Sequence, residues 1–358
     1  MKDKTKIILR CIIFTVICCL CLLGVQDVLS SKIAADYTRL HEIYDEPENS
    51  LDAVFLGSST TYAYWNPMTA WGEKGVAVYM MANASQPVEI SHYLIDDMRK
   101  KQPDALYIIN ITRMLEIEQY YNAKVHRFRN NYPLTENKYR ALNYMLELTD
   151  VPFNDRLEYY FPIIRFHSRW KELKSFDLTF TSANYKSANR GSSYLKKSRY
   201  RQPVTYDFDN YPELTDIMNT ALTDIMNYCK SEQVRVLFVM MPQPLQRELS
   251  NNRQNTVAKV LQENGFDVLD LRKKVAEIGI DYSKHYYDER HTNIHGSILV
   301  TDYISDYLIE NYGFEDKRGK EEYASWDEKC KAYYKIISEH LWDEDYEVLK
   351  SLEKTQSK

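Results

Sequence analysis

The chain has 358 residues, enough for one large core or two small ones, with 27% charged and 44% hydrophobic residues as in ordinary soluble domains. A net charge of -5 leaves no footprint for nucleic acid, and 10 Gly with 11 Pro exclude collagen-like and low-complexity chains. Tyrosine is over-used, at 30 residues against 12 Phe and 5 Trp. Its apolar ring and polar tip suit half-exposed core positions and carbohydrate or protein contacts alike.

Residues 1–30 differ in kind from the rest. Lys2, Lys4, Lys6 and Arg10 precede residues 11–25, which carry no charge. With residues 7–9 the apolar stretch approaches the ~20 residues of a membrane span, Arg10 being long enough to snorkel. Basic residues on the N-terminal side predict a cytoplasmic stub and a cell-membrane, single-pass anchor with the rest of the chain outside. A cleaved signal peptide is the competing reading, since Val28-Leu29-Ser30 is a tolerable cleavage context, but the apolar run is long for one. Cys11, Cys18, Cys19 and Cys21 lie inside this segment. Cys229 and Cys330 fall in predicted helices, so no disulfide framework is indicated.

Residues 31–50 read as a polar, helical stalk. Beyond them, residues 51–314 alternate between strand and helix. Strands are predicted at 51–56, around 76–80, at 105–111, 234–241 and 266–271, and helices at 87–101, 214–230, 251–264 and 297–312. Continuous apolar runs such as ALYIINI are those of strands buried on both faces. The pattern predicts an α/β, three-layer parallel sheet with helices on both faces. Residues 115–212 interrupt it with a Tyr-, Arg- and Asn-rich stretch, too long for a plain connection, which reads as a helical insertion or cap. Arg165, His167, Arg169 and Trp170 within it are candidate contacts to an anionic or sugar ligand. Residues 315–358 read as a charged, helical C-terminal tail with a disordered end.

Two motifs carry chemistry. Gly57-Ser58-Ser59 follows the first strand, where side chains of a parallel sheet converge on ligands. Asp288 and His291 stand three residues apart in the loop before the last helix. A serine hydroxyl needs a neighbouring base, imidazole suits that task near neutral pH, and a carboxylate fixes the imidazole tautomer. Ser59, His291 and Asp288 are therefore the candidate catalytic residues. A metal site built from His285, Asp288, His291 and His295 fits no standard zinc spacing, so no metal or other cofactor is expected.

Gly57-Ser58-Ser59 with Asp288-x-x-His291-x-Asn293-x-x-Gly296 resembles the SGNH/GDSL hydrolase superfamily, in particular its membrane-anchored Gly-Ser-Ser branch found near cell-envelope acyltransferases. The resemblance spans about residues 52–312. It implies an SGNH/flavodoxin-like sheet, Ser59 as nucleophile, His291 as base and Asp288 as its orienting acid. It also implies an oxyanion hole from the Ser59 N–H, Ala84 in the second block and Asn110 in the third. The second block has Ala84 where Gly is usual, and Asn110-Ile111-Thr112-Arg113 stands where the family has Gly-x-Asn-Asp. The activity implied is that of an extracytoplasmic serine esterase or O-acyltransferase working through an acyl-Ser intermediate, with acetyl as the acyl group. A cell-envelope polysaccharide or other acylated glycan is the implied substrate or acceptor, and a membrane-bound acyltransferase the implied partner. The alternative is a catalytically idle SGNH-like domain that binds glycan or scaffolds an envelope acylation complex.

Overall fold

The computed structural model describes residues 2–112, 114, 121–178, 190, 195, 197–245 and 247–340. The chain begins with helix α1 (Lys2–Leu29) and helix α2 (Ala34–Glu42), then strand β1 (Ala53–Gly57) leads into α3 (Ser59–Tyr64) and α4 (Pro67–Lys74). Next come β2 (Val78–Ala82), α5 (Ser91–Arg99) and β3 (Leu106–Asn110), followed by the inserted helices α6 (Tyr121–Asn131), α7 (Glu136–Leu148), α8 (Phe153–Tyr160) and α9 (Ile163–Phe166). The chain returns through α10 (Asp216–Ser231), β4 (Val236–Met240), α11 (Glu248–Glu263) and β5 (Asp267–Asp270). It closes with α12 (Val275–Ile278), α13 (Ile294–Tyr312) and α14 (Ala324–His340).

All five strands run parallel in the order β2-β1-β3-β4-β5. The expected α/β class with a parallel sheet is therefore observed. The apolar strand runs are continuous because each face is covered, and side chains alternate between two cores with period two. Val54, Leu56, Tyr79, Ile109 and Phe238 enter one core, shared with α5 and α10. Phe55, Met80, Ile108 and Val239 enter the other, under α13. The strand order reverses direction between β1 and β3, and in such sheets the crevice at the carboxyl ends beside the reversal receives ligands. Gly57 and Asn110 end the two strands that flank it.

α1 contains a helix, Lys4–Leu29, long and apolar enough to cross a membrane. One expectation for the flanks needs correction. Residues 34–45 are helical, but the 31–50 stretch does not stand clear as a stalk. Leu40 and Ile43 are fully buried in the domain core, and Tyr37, Asp36 and Arg39 are buried with them. The tail after residue 315 is helical, as expected, and it is packed on the domain. α14 packs on α4 with Trp326 and Tyr333 buried, and the Trp71 Nε1–H donates to Asp327 at 2.9 Å. The disordered end called at the C-terminus lies outside the described residues, as do parts of the insertion at 115–120, 179–189, 191–194 and 196.

Candidate active site

Gly57 closes β1 at a point where no side chain fits. A Cβ there would lie 2.0 Å from Thr61 Oγ1 and 3.0 Å from Asn110 Cβ, and φ is +154°. The chain then turns at Ser58, extended at φ -100° and ψ -160°, and enters α3 at Ser59. As the first helical residue, Ser59 has a backbone N–H with no intrahelical acceptor. Ser58 is buried, its hydroxyl 3.2 Å from Thr60 Oγ1.

Ser59 Oγ lies 2.8 Å from His291 Nε2. His291 Nδ1 in turn lies 2.8 and 2.9 Å from the two carboxylate oxygens of Asp288. The backbone N–H groups of Arg290 and His291 also donate to Asp288 Oδ1, at 2.8 and 3.0 Å. Partial burial raises the carboxyl pKa of Asp288, but the hydrogen bond and charge of His291, with those two N–H groups, outweigh it and hold it below the ordinary value. An ionised Asp288 binds the Nδ1–H tautomer, which leaves the Nε2 lone pair facing the serine hydroxyl. The three residues named from sequence spacing thus come together, from opposite ends of the domain, as a Ser-His-Asp chain of hydrogen bonds.

The loop carrying Asp288 and His291 is braced from several sides. Tyr286 and Thr292 form an antiparallel bridge, and the Tyr287 N–H donates to the His291 carbonyl at 2.9 Å. Tyr286 and Tyr64 hydroxyls both donate to the Pro242 carbonyl, at 2.6 and 2.9 Å, so the breaker after β4 anchors this loop to α3. Thr292 Oγ1 donates to the Ala63 carbonyl at 2.5 Å. Asn293 caps α13 by accepting the Gly296 N–H at 3.1 Å, which starts that helix at Ile294, three residues earlier than its apolar spacing predicts. Gly296 is required as well, since a Cβ there would lie 2.3 Å from the His285 carbonyl oxygen. His285, offered above as a metal ligand alternative, accepts the Asp281 N–H on Nδ1 at 3.0 Å.

The expected oxyanion donors divide. The Ser59 and Ala84 N–H groups donate to no protein acceptor among the described residues, so both are free to serve. Asn110 is already committed: its Nδ2 donates to Thr60 Oγ1 at 3.1 Å and Thr61 Oγ1 at 3.0 Å. Its Oδ1 accepts from the Thr112 N–H and hydroxyl, at 3.1 and 2.6 Å. Asn110 thereby ties the end of β3 to the start of α3, which begins at Ser59. The left-handed backbone that glycine would favour in the second block falls at Ser85, φ +57°, one residue after Ala84. Its neighbour Asn83 is a residue that spacing did not single out. It is buried at the end of β2, its N–H bonded to the Gly57 carbonyl, and its Oδ1 has no partner.

A second group missed by sequence reasoning lies beside Ser59, Tyr62 of α3 with Arg39 of α2 over its ring. Tyr62 is hydrogen-bonded to Ser59 through its side chain, and the Arg39 guanidinium stacks over the Tyr62 ring at 4.3 Å. Asp36 holds Arg39 at 2.8 Å and also accepts from Arg127 Nε of α6 at 2.6 Å. Burial pushes the Tyr62 hydroxyl above its ordinary pKa, against the Arg39 cation. The four insertion residues expected to meet substrate take other partners. Arg165 pairs with Glu158, and His167 Nδ1 lies 3.1 Å from the Ile164 carbonyl oxygen. Arg169 donates to the Leu29 and Ser30 carbonyls at the end of α1, and Trp170 is 65% exposed. α9 and the turn after it, which carry these residues, pack against α1.

No known protein-family model matches the chain, and no curated protein matches it.

Proposed function

We propose that this protein is a membrane-anchored, extracytoplasmic serine esterase or O-acyltransferase of SGNH type, acting on acyl esters of a cell-envelope polysaccharide or other acylated glycan. The observation that carries this reading is the 2.8 Å approach of His291 Nε2 to Ser59 Oγ, with Asp288 behind the imidazole. His291 takes the hydroxyl proton as Ser59 Oγ attacks the ester carbonyl. The tetrahedral oxyanion is met by the Ser59 and Ala84 N–H groups. Collapse expels the alcohol, which takes the proton from His291 and leaves an acyl-Ser59. Water or a sugar hydroxyl, deprotonated by His291, then attacks the acyl carbon and releases the free serine.

Acetyl as the acyl group, the polysaccharide and a membrane-bound acyltransferase partner follow from the sequence resemblance alone. The basic residues at the N-terminal end of α1 support an outward-facing domain. The test uses the full-length protein in neutral detergent. A fluorophosphonate probe is expected to label Ser59, and short-chain ester hydrolysis is expected to fall by about 10³-fold or more in Ser59→Ala. Labelling of folded protein elsewhere, or an unchanged rate in Ser59→Ala, refutes the catalytic assignment. One observation favours the second reading, a catalytically idle glycan-binding or scaffold domain: the Asn110 carboxamide is fully engaged within the fold. A folded protein that binds acylated glycan yet neither labels nor hydrolyses supports that alternative.

A further inference from the structure

Where α1 meets the domain there is a cavity of about 420 Å³, large enough for a ligand headgroup. Its walls join two chemistries. Leu23 and Gly24 come from the apolar helix, whereas Gln26 and Asp27 come from its last turn and Arg129, Asn130 and Lys138 from α6 and α7. The burial of α1 begins at Gln26, so the mouth of the cavity stands at the level where an apolar helix would leave the hydrocarbon.

The polar residues here are incompletely satisfied. Lys138 and Arg129 are each only 7% exposed. Lys138 Nζ donates to the Tyr132 carbonyl at 2.6 Å, while Arg129 donates to the Tyr159 carbonyl and to Ser30 Oγ at 3.1 and 3.0 Å. Neither has a carboxylate within ion-pair distance among the described residues, and the adjacent Asp27 is paired with Lys32. Buried cations without a counter-ion are costly, which makes a matching anion favourable. Burial, with the Arg129 charge beside it, lowers the Lys138 pKa to about 7. Beside these cations, Gln26 Oε1 and Asn130 Oδ1 are buried acceptors with no donor. A ligand that fits supplies both an anionic oxygen and a hydroxyl.

The surface around the foot of α1 is also unusual. Phe153, Leu157, Phe161, Ile164 and Trp170 are exposed along α8, α9 and the turn after them, and α9 and that turn pack against α1. Lys171 lies over the Trp170 ring at 5.4 Å, a pairing suited to a membrane interface. Leu134, on the cavity wall, is 72% exposed.

We infer that this cavity binds the headgroup of an anionic phospholipid carrying hydroxyls, with the phosphate between Arg129 and Lys138 and the hydroxyls on Gln26 and Asn130. The acyl chains run back along Leu23 and the exposed apolar surface. The inference rests on α1 spanning a membrane and is independent of the chemistry at Ser59.

The test is a lipid titration of the full-length protein in neutral-detergent micelles, followed by native mass spectrometry. Phosphatidylglycerol, phosphatidylmethanol, phosphatidylcholine and inorganic phosphate are the probes. One phosphatidylglycerol is expected to bind tightly. Phosphatidylmethanol, equal in charge but without hydroxyls, should bind roughly 5–10-fold more weakly. Lys138→Gln and Arg129→Gln should each weaken phosphatidylglycerol by more than about tenfold, while Lys138→Arg retains binding. Should either Gln variant misfold, Asn130→Leu provides the second arm, expected to bring phosphatidylglycerol down to the phosphatidylmethanol level. Ser59→Ala should bind lipid as wild type does, so failure of the esterase reading leaves this test intact. Equal binding of phosphatidylcholine, or equal weakening by Lys138→Arg, overturns the inference. So does inorganic phosphate that displaces the lipid at equal concentration, which would mark a soluble-phosphate site.

Discussion

Replacing Asn110 by Ala separates two roles that sequence position alone confuses. In the structure its carboxamide makes four hydrogen bonds, two donated to Thr60 and Thr61 and two accepted from Thr112. Each such bond is worth about 0.5–1.5 kcal/mol net, and the truncation leaves the Thr112 N–H without its acceptor, so the loss is about 3 kcal/mol. For a domain of this size that lowers Tm by roughly 6–12 °C. Because the carboxamide is occupied, the rate of ester hydrolysis measured well below Tm should fall only about tenfold, through looser placement of Ser59. A direct oxyanion donor behaves in the opposite way, with about 10²–10³ lost from kcat and little change in stability. Differential scanning fluorimetry and ester kinetics on the same preparation decide between them. Unchanged Tm combined with a hundredfold drop in kcat would refute the positioning role. Thr61→Val, which removes one acceptor from the other side, should reproduce part of the Tm loss.

Three further outcomes follow from the geometry. Gly57→Ala places a Cβ 2.0 Å from Thr61 Oγ1 at a backbone angle that L residues avoid, so it should destabilise by about 2 kcal/mol or more and abolish probe labelling of Ser59; wild-type Tm and labelling would contradict the close packing. Asp288→Asn should cost about 10³–10⁴ in kcat, because a neutral amide cannot stabilise the imidazolium. The Asp288 pKa lies below its unfolded value near 3.9, so its stabilising contribution is present above that pH and lost as pH falls through the folded value. Melting from pH 7 to 3 should show the wild-type advantage over Asp288→Asn closing only below about pH 4; a gap constant to pH 3 would refute this. Lys138 titrates near 7 when folded and near 10.4 when unfolded, so between those values the unfolded chain binds more protons and wild-type stability rises with pH. In neutral detergent, Lys138→Met should be the more stable protein at pH 6, with its advantage shrinking towards pH 10; a pH-independent difference would show that Lys138 is charged in both states.

Much of the fold was legible because a parallel sheet writes itself as short, wholly apolar runs, and β1 and β3 are of that kind. The Asp288–His291 pair was legible for a local reason: the two residues share one braced turn, so their three-residue spacing survives folding. The engagement of the Asn110 carboxamide was not legible because it depends on Thr60 and Thr61, some fifty positions away. Residues 31–50 looked like a stalk because their polar composition hides burial achieved through pairing. Asp36 is buried only because Arg39 and Arg127 satisfy both of its oxygens. Arg169 and Trp170 carry the composition of a sugar-binding surface and of a membrane-facing one equally, and the bonds of Arg169 to the Leu29 and Ser30 carbonyls are not legible in it.

That contact and the burial of α2 bear on where the proposed chemistry would occur. Arg39, which stacks on Tyr62 beside Ser59, lies ten positions beyond Leu29, the last residue of α1. Even fully extended, ten residues span at most about 36 Å, and helical residues advance only ~1.5 Å each. The hydroxyl of Ser59 is thereby tethered close to the end of α1, with no flexible arm to carry it outward. On the proposed reading, an acyl donor presented at the membrane surface is within reach, whereas a glycan has to approach that surface to be modified. The same short connection makes Arg39 sensitive to how α1 sits, since Asp36 fixes its guanidinium and Arg127 fixes Asp36 from α6. Arg129, two residues along the same helix, holds Ser30 at the foot of α1. On the proposed readings, a ligand at the foot of α1 and a substrate at Ser59 would meet the same helix, α6, through Arg129 and Arg127.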